Sequence, residues 1–583
     1  MSNEFQFDVI VIGAGINGAG IARDAALRGL KVLLLDKGDI GGGTSSWSTR
    51  LIHGGLRYLE HGEIGLVRES LRERSCLLNI CPHLVRPLRM LVPVYKNARR
   101  GVWTIRAGMI AYDALSFPRT LPRHRMLSRE ETLHQAPGLC SDDLLGAAVY
   151  FDAQVEFAER LVVENVLSAV AHGATVLTYA CVEKLVIEDG ELRGVEFTIN
   201  VQSPKSKVQS QRATGTSDLG SSPTPGSPAG RPGWGGAVME GSNGERHLAK
   251  AHLIINAAGP WIDQVLAESN ANSSRLIGGT KGSHIIVAPF AGAPDAAIYV
   301  EAETDRRLFF IIPWNGKYLI GTTDIRYAGD LDRVRIDGDE IDYLLRETNR
   351  VIPTAMLTRE QILYTYAGVR PLPFTGDKDE QSITRRHFIR AHPELSGLLS
   401  IVGGKLTTYR SLAEQAVDLV MKKLPLYWDR RRPARSFGCR TARDPLPGAT
   451  TDDFATFCKD FKQRSSLPET TNDRLLQIYG TRASLILNLV ENDQSLAEVF
   501  DAETGALAVE VVFAFKHELA TTLADCLLRR TMVGLNSTRG LTAVATAGAI
   551  ARKYLGWSEG RVEQEIGAYR NEVSRGFLMS DKL

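Results

Sequence analysis

Cysteine is scarce and unpatterned. Seven residues in 583 (Cys76, Cys81, Cys140, Cys181, Cys439, Cys458, Cys526) form an odd set with no C-x-x-C pair, which argues against a disulfide framework or a zinc site and for a reducing compartment. An excess of one charge is also lacking. With 69 Lys+Arg against 67 Asp+Glu, a net +2, the chain as a whole has no field to draw nucleic acid, and no nucleic-acid-binding motif accompanies it. The uncharged stretch near the start, Val9 to Ala22, is too short and too glycine-rich to span a bilayer. Met1 to Phe7 leave no room for a charged n-region and an apolar h-region, so a secretory signal is not expected. Membrane contact would have to be peripheral. What remains, 44% hydrophobic and 23% charged over 583 residues, is a globular composition large enough for two or three domains.

Asp8-Val-Ile-Val-Ile12 is an apolar run bounded by glycines, the pattern of a strand buried on both faces of a parallel sheet. Ile16 to Arg28 is alanine-rich, ends at Gly29 and reads as a helix, and Lys31-Val-Leu-Leu-Leu-Asp36 is a second buried strand. A β-α-β unit therefore fills the first 36 residues. Ser128-x-x-Glu131 predicts a capping box, and Leu253–Asn256 and Leu398–Val402 predict further strands of the same sheet. Between residues 201 and 245 the composition turns to Ser, Pro, Gly and Lys, too poor in apolar surface to offset ordering entropy, so a disordered insertion at a hairpin tip is expected. Prolines and arginines at Leu424–Arg435 mark a second boundary. It separates residues 1–435 from a helical region at 440–583, where Val562, Ile566, Tyr569 and Val573 share one helix face opened by Ser558 and Leu507–Arg530 reads as another long helix.

Gly13-Ala-Gly15-Ile-Asn17-Gly18 follows a strand and opens a helix, with Asp36 at the end of the next strand. That context makes it a dinucleotide fingerprint: Gly13 for the turn, Gly15 for backbone approach to a pyrophosphate at the helix N-terminus, Gly18 for helix–strand packing, Asp36 for ribose hydroxyls. NAD and FAD share this pattern. Further glycine turns at Gly41-Gly-Gly-Thr44-Ser45-Ser46, Asn256-Ala-Ala-Gly259 and Gly403-Gly404-Lys405-Leu406-Thr407-Thr408 suit a long dinucleotide such as FAD lying across the sheet. The third is not a Walker A loop, because Leu406 stands where Ser or Thr is needed.

His53-Gly-Gly-Leu-Arg57-Tyr58-Leu59, Lys281-Gly-Ser-His284, Gly321-Thr-Thr-Asp324, Gly368-Val-Arg370-Pro-Leu372, Gly403–Arg410 and, in the tail, His517-Glu518 and Leu528-Arg-Arg-Thr531 occur in this order. In them the chain resembles the respiratory, FAD-dependent glycerol-3-phosphate dehydrogenases over nearly its whole length. The resemblance implies an α/β fold: a discontinuous Rossmann-type FAD-binding domain, an inserted substrate domain with a mixed or antiparallel sheet, and an all-helical C-terminal domain. It implies oxidation of sn-glycerol 3-phosphate to dihydroxyacetone phosphate with electrons passed to a membrane quinone, an oxidase making hydrogen peroxide being the alternative. It places Arg57, Tyr58, Arg370, Arg385 and Lys405 at the substrate, and His284, Lys405 and Arg370 in catalysis. Gly13, Gly15, Asn17, Gly18, Asp36, Thr44, Ser45, Ser46, Gly259, Asp324, Gly404, Lys405, Leu406 and Thr407 fall at the cofactor, no metal is expected, and a homodimer is left open. The chemistry agrees, because a phosphomonoester with about −1.5 to −2 charge at pH 7 needs forked cationic donors.

From Leu84 to Arg125 nine basic residues (Arg86, Arg89, Lys96, Arg99, Arg100, Arg106, Arg119, Arg123, Arg125) meet the single acid Asp113. They alternate with Leu88, Met90, Leu91, Val92, Trp103, Ile105, Met109 and Ile110, a mixture expected where a surface rests on anionic headgroups. The expected location is therefore cytoplasmic, at the inner face of the cell membrane.

Overall fold

The computed structural model of the chain describes residues 6–118, 120–188, 191–200, 244–267, 274–376, 383–424 and 438–576. The first 36 residues form the expected unit: strand β1 (Phe7–Ile12), helix α1 (Ile16–Leu27) and strand β2 (Val32–Leu35). β1 is the centre of a parallel array, flanked by β2 on one side and by Arg246–Asn256 on the other, with Leu398–Val402 beyond it. Valine and isoleucine run unbroken through β1 because both its faces are covered. Helices Ala158–Ala171 and Tyr409–Lys423 pack against α1, where Gly20 lets the Tyr409 ring come close: a Cβ there would sit 2.7 Å from Cδ2. Glu191–Ile199 pairs antiparallel with Arg246–Asn256, so the expected hairpin exists. The insertion expected at its tip lies, from residue 201 to 243, outside the described residues, as does most of the Leu424–Arg435 boundary.

A second sheet of ten strands is mixed but mainly antiparallel. Thr280–Val287 lies between Lys317–Gly321 and Ile362–Arg370, and the long strands Val85–Tyr95 and Leu144–Val155 pair along their whole length. The capping box of the helix Arg129–Gln135 is present, with Glu131 N donating to Ser128 Oγ at 3.1 Å.

From residue 438 the chain is helical apart from a two-stranded ribbon, Val499–Asp501 with Ala506–Leu507, which the expected all-helical region did not include. Helix Glu559–Gly576 buries Tyr569 and Val573 as the periodicity predicts. The long helix expected over Leu507–Arg530 is broken. Ala508–His517 is helical, Leu519 then takes φ +59°, and Asp525–Arg530 forms a separate π-turn. Apolar periodicity cannot register that interruption, because both pieces are buried.

Candidate active site

A cavity of about 840 Å³ lies between the two sheets, walled on one side by the glycine turns and on the other by His284, Arg370 and Arg385. Gly13 holds φ +103°, and a Cβ there would meet Ala257 O at 2.7 Å. On Gly18 a Cβ would stand 1.8 Å from Gly13 O, so this glycine packs helix on strand and does not line the cavity. Asp36 accepts bonds from Ala14 N (2.6 Å) and Gly38 N (2.8 Å), while burial lifts its carboxyl above the usual range. Ser45 Oγ accepts from Ile16 N at 3.0 Å and so marks the start of α1. Thr44 Oγ1 donates to Val369 O (2.8 Å), tying the loop to the second sheet. Ser46 was expected at the cofactor, but its hydroxyl donates to Gly41 O (2.7 Å) and it braces the loop from within.

The Gly403–Thr408 turn meets this wall from the far end of the chain. Asn17 Nδ2 donates to Gly403 O at 3.3 Å, and a Cβ on Gly404 would lie 2.7 Å from that same nitrogen. The turn holds Thr407, whose Oγ1 accepts from His53 N (3.2 Å), and Lys405, whose ammonium donates to Ser70 Oγ (3.0 Å) and rests 4.2 Å over the Tyr58 ring. Burial lowers the Lys405 pKa. Gly259 and Leu406 also line the cavity. The wall suits FAD on structural grounds: bare backbone at Gly13, Gly15 and Gly404, a helix N-terminus, a carboxylate after β2, and the buried Asn17 Oδ1 with no partner among the described residues.

On the opposite wall one carboxylate organises two arginines. Asp324 Oδ1 accepts from Arg370 NH1 at 2.9 Å and Oδ2 from Arg385 NH2 at 2.6 Å. Burial raises the Asp324 pKa, but the Arg370 and Arg385 guanidiniums outweigh it and hold the carboxyl below its usual range. Asp324 was expected at the cofactor; it is absent from the cavity lining and acts as a counter-ion instead. Arg370 NH2 also donates to Thr322 Oγ1 (2.9 Å) and Thr323 O (3.1 Å), whereas Arg385 NH1 is buried without a partner among the described residues.

His284 sits 1% exposed, its ring 4.9 Å from that of Tyr366 and its Nε2 3.0 Å from Thr49 Oγ1. Its Nδ1 has no partner among the described residues. Burial first, then the positive charges of Arg370 and Arg50, hold its pKa well below 6.5. An inflection near the ordinary histidine range, the natural expectation for a histidine base, therefore moves to lower pH. Arg57 is a correction of another kind: it lines a neighbouring cavity of about 330 Å³, with Leu56, Ile105 and Tyr299, and not the main one.

Among the lining residues that escaped the sequence are Thr49, Asp39 and His53. Thr49, which sets the orientation of His284, follows the glycine run by a few residues with no motif of its own. Asp39 looks like an ordinary loop charge. His53 opens a motif already singled out, and its pKa is lowered to about 4 by burial.

The family model for FAD dependent oxidoreductases matches residues 8–216 and 226–410, and that for the C-terminal domain of alpha-glycerophosphate oxidase matches 439–562. A glycerol-3-phosphate dehydrogenase of Synechocystis sp. is 44% identical over 98% of this chain and 97% of its own. A D-erythritol 1-phosphate dehydrogenase of Brucella abortus is 36% identical over 90% and 94%. Among solved structures, a glycerol-3-phosphate dehydrogenase from Bacillus halodurans complexed with FAD superposes with a TM-score of 0.71 at 26% identity, covering 99% of this chain and 96% of that one. With its glycine-walled cavity facing two arginines on one carboxylate, the chain belongs to the family of FAD-dependent glycerol-3-phosphate dehydrogenases.

Proposed function

We propose that the cavity oxidises sn-glycerol 3-phosphate at its C2 hydroxyl, giving dihydroxyacetone phosphate, and that the electrons pass to a membrane quinone. The observation that carries the substrate is the Arg370–Asp324–Arg385 trio: two guanidiniums share one carboxylate, a net +1, and Arg385 keeps a buried N–H group without a partner among the described residues at the cavity wall. An anion with acceptor oxygens satisfies both deficits. FAD, when bound, supplies the hydride acceptor. Gly13, Gly15, Asn17, Asp36, Thr44, Ser45, Gly259, Gly404, Leu406 and Thr407 would hold it, while Tyr58 and Lys405, the ammonium over the ring, line the same cavity.

His284 is the base in this reading. The tautomer in which Nε2–H donates to Thr49 Oγ1 leaves Nδ1 free to take the hydroxyl proton, and burial keeps the ring neutral at physiological pH. A depressed pKa makes the ring a weak base, and the guanidiniums assist by favouring the developing alkoxide. Lys405 is the second candidate, since burial lowers its pKa as well.

Support for a membrane acceptor comes from helix Val102–Leu115 and the turn beyond it. Trp103 (77% exposed) and Ile110 (56%) project to solvent from one helical face, and Phe117 (75%) from the turn beyond, with Arg99 and Arg106 also exposed. The surface is smaller than the sequence suggested. Met90, Leu91, Val92, Ile105 and Met109 are core, and Arg100 is bound to Glu60 and Glu301. No helix among the described residues is long and apolar enough to cross a membrane. Turnover with glycerol 3-phosphate, D-erythritol 1-phosphate and glycerol, scored in parallel for quinone reduction and for peroxide, tests both halves. Preference for glycerol 3-phosphate with quinone reduction is expected; preference for the tetritol phosphate, or stoichiometric peroxide, would replace the corresponding half.

A further inference from the structure

Asp39 stands three residues after Asp36 and just before the glycine run Gly41–Gly43, and it is 3% exposed. A carboxylate at that depth needs a cation with good geometry. The cations come from 490 residues away: Arg530 donates from NH1 and NH2 to the two carboxylate oxygens at 2.8 Å each, and Arg529 Nε donates to Oδ2 at 2.5 Å. Burial alone would raise the Asp39 pKa, yet Arg530 and Arg529 hold it below the usual range, so the pair stays ionised.

The loop and the pair are mechanically continuous. Asp39 O accepts from Gly42 N (3.0 Å) and Gly41 N donates to Ala14 O (3.0 Å), so the position of Asp39 sets the glycine run against the first glycine turn. Both arginines sit on the π-turn Asp525–Arg530, a geometry that recurs at functional sites. Asp525 in turn accepts from Arg529 (3.1 Å) and from the hydroxyl of Tyr179 (2.5 Å), which also lines the cavity and whose N donates to Gly38 O (3.0 Å) in the same loop. Arg530 Nε donates to Glu518 O (2.8 Å), and the Glu518 carboxylate is gripped by Arg160 of the helix that packs on α1. One turn of the C-terminal region thus ties down two segments, at Asp39 and at Tyr179, that line the dinucleotide end of the cavity.

We propose that Arg530 and Arg529 are positioning residues for FAD: through Asp39 they keep the glycine loop closed on the cofactor, so that flavin retention depends on the C-terminal region. The inference is independent of the identity of the substrate and of the electron acceptor. Arg530 is the residue to change, because unlike Arg529 it does not line the cavity. The full-length holoenzyme is diluted into flavin-free buffer and the release of FAD is followed by its fluorescence. Arg530→Met, which removes both bonds to Asp39 and the one to Glu518 O, should speed release by roughly 10- to 100-fold, while KM for the phosphorylated substrate measured in excess FAD stays at the parent value. Arg530→Lys, which keeps the charge but loses the fork, should give a smaller rise in the same direction, and it serves if the methionine variant does not fold. Asn536→Ala is the control. Asn536 is buried, bonds Asp501 (3.0 Å) and caps Gly540 N (2.7 Å) within the C-terminal region, so its loss should lower the melting temperature and leave release unchanged. Release at the parent rate from folded Arg530→Met or Arg530→Lys, or release that tracks melting temperature across all three variants, overturns the proposal.

Discussion

Replacing Arg385 by alanine isolates recognition of the phosphate. Arg370 is the less clean target, since it also secures Thr322 and Thr323 and its removal would loosen their turn. Arg385 is fixed by a single carboxylate contact of 2.6 Å, and its NH1 lies buried without a partner among the described residues. Leaving such a group unsatisfied costs about 1–3 kcal/mol, and a bond from it to a charged acceptor contributes about 1.5–3 kcal/mol. The Arg385→Ala change also takes the trio from net +1 to neutral, which acts in the same direction. The dissociation constant of glycerol 3-phosphate should therefore rise by about 10- to 100-fold, and that of glycerol, which has no charge to complement, should hardly move. Anaerobic rapid mixing reads both from the concentration dependence of flavin bleaching, and the limiting rate is obtained in the same experiment. Equal losses for the two compounds, or an unchanged constant for glycerol 3-phosphate, would refute the assignment of Arg385 to the phosphate.

His284→Asn should depress the limiting rate of flavin bleaching by roughly 10² to 10⁴ with little change in substrate dissociation constant; weaker binding with a normal saturated rate would make it a binding residue and move attention to Lys405. Gly15→Val should give folded protein without flavin, because the first added carbon makes only an ordinary contact with Ser45 Oγ at 3.4 Å and the rest of the side chain enters the pyrophosphate's space; full flavin occupancy would dismiss the turn. Arg99→Glu with Arg106→Glu should reduce binding to anionic vesicles while dye-linked turnover persists, each cation near the surface contributing about 1 kcal/mol. Burial holds His53 at about 4 and His83 at about 3, below the unfolded value of 6.5. These groups bind protons more readily when unfolded, so their contribution is complete above pH 6.5 and is lost as pH falls toward those values; melting temperature should decline across that window, less steeply in His83→Gln, and a rise on acidification would contradict the sign.

The nucleotide wall was legible because its information is local: a buried strand, glycines at fixed offsets and an acid at the end of the next strand all lie within 36 residues, and β1, α1 and β2 follow them closely. Asp324 was misplaced for the opposite reason. Its partners, Arg370 and Arg385, are brought together by the second sheet, and an aspartate after a strand reads alike whether it faces a cofactor or a guanidinium. The basic stretch misled by mixing periods. In Val85–Tyr95 residues 90–94 are buried without a break, on both faces of the strand, while in Val102–Leu115 only one helical face is exposed, so the count of apolar neighbours overstated the surface. Asp39 with Arg529 and Arg530 could not be read at all, since isolated charges separated by 490 residues carry no mark of burial.

Adding sn-glycerol 3-phosphate to the purified holoenzyme under anaerobic conditions, with dihydroxyacetone phosphate assayed in the same sample, is the most direct test of the assignment. Bleaching of the flavin with one equivalent of dihydroxyacetone phosphate formed per flavin is the expected result. A flavin that stays oxidised at saturating glycerol 3-phosphate, in a protein that retains its FAD, would contradict it.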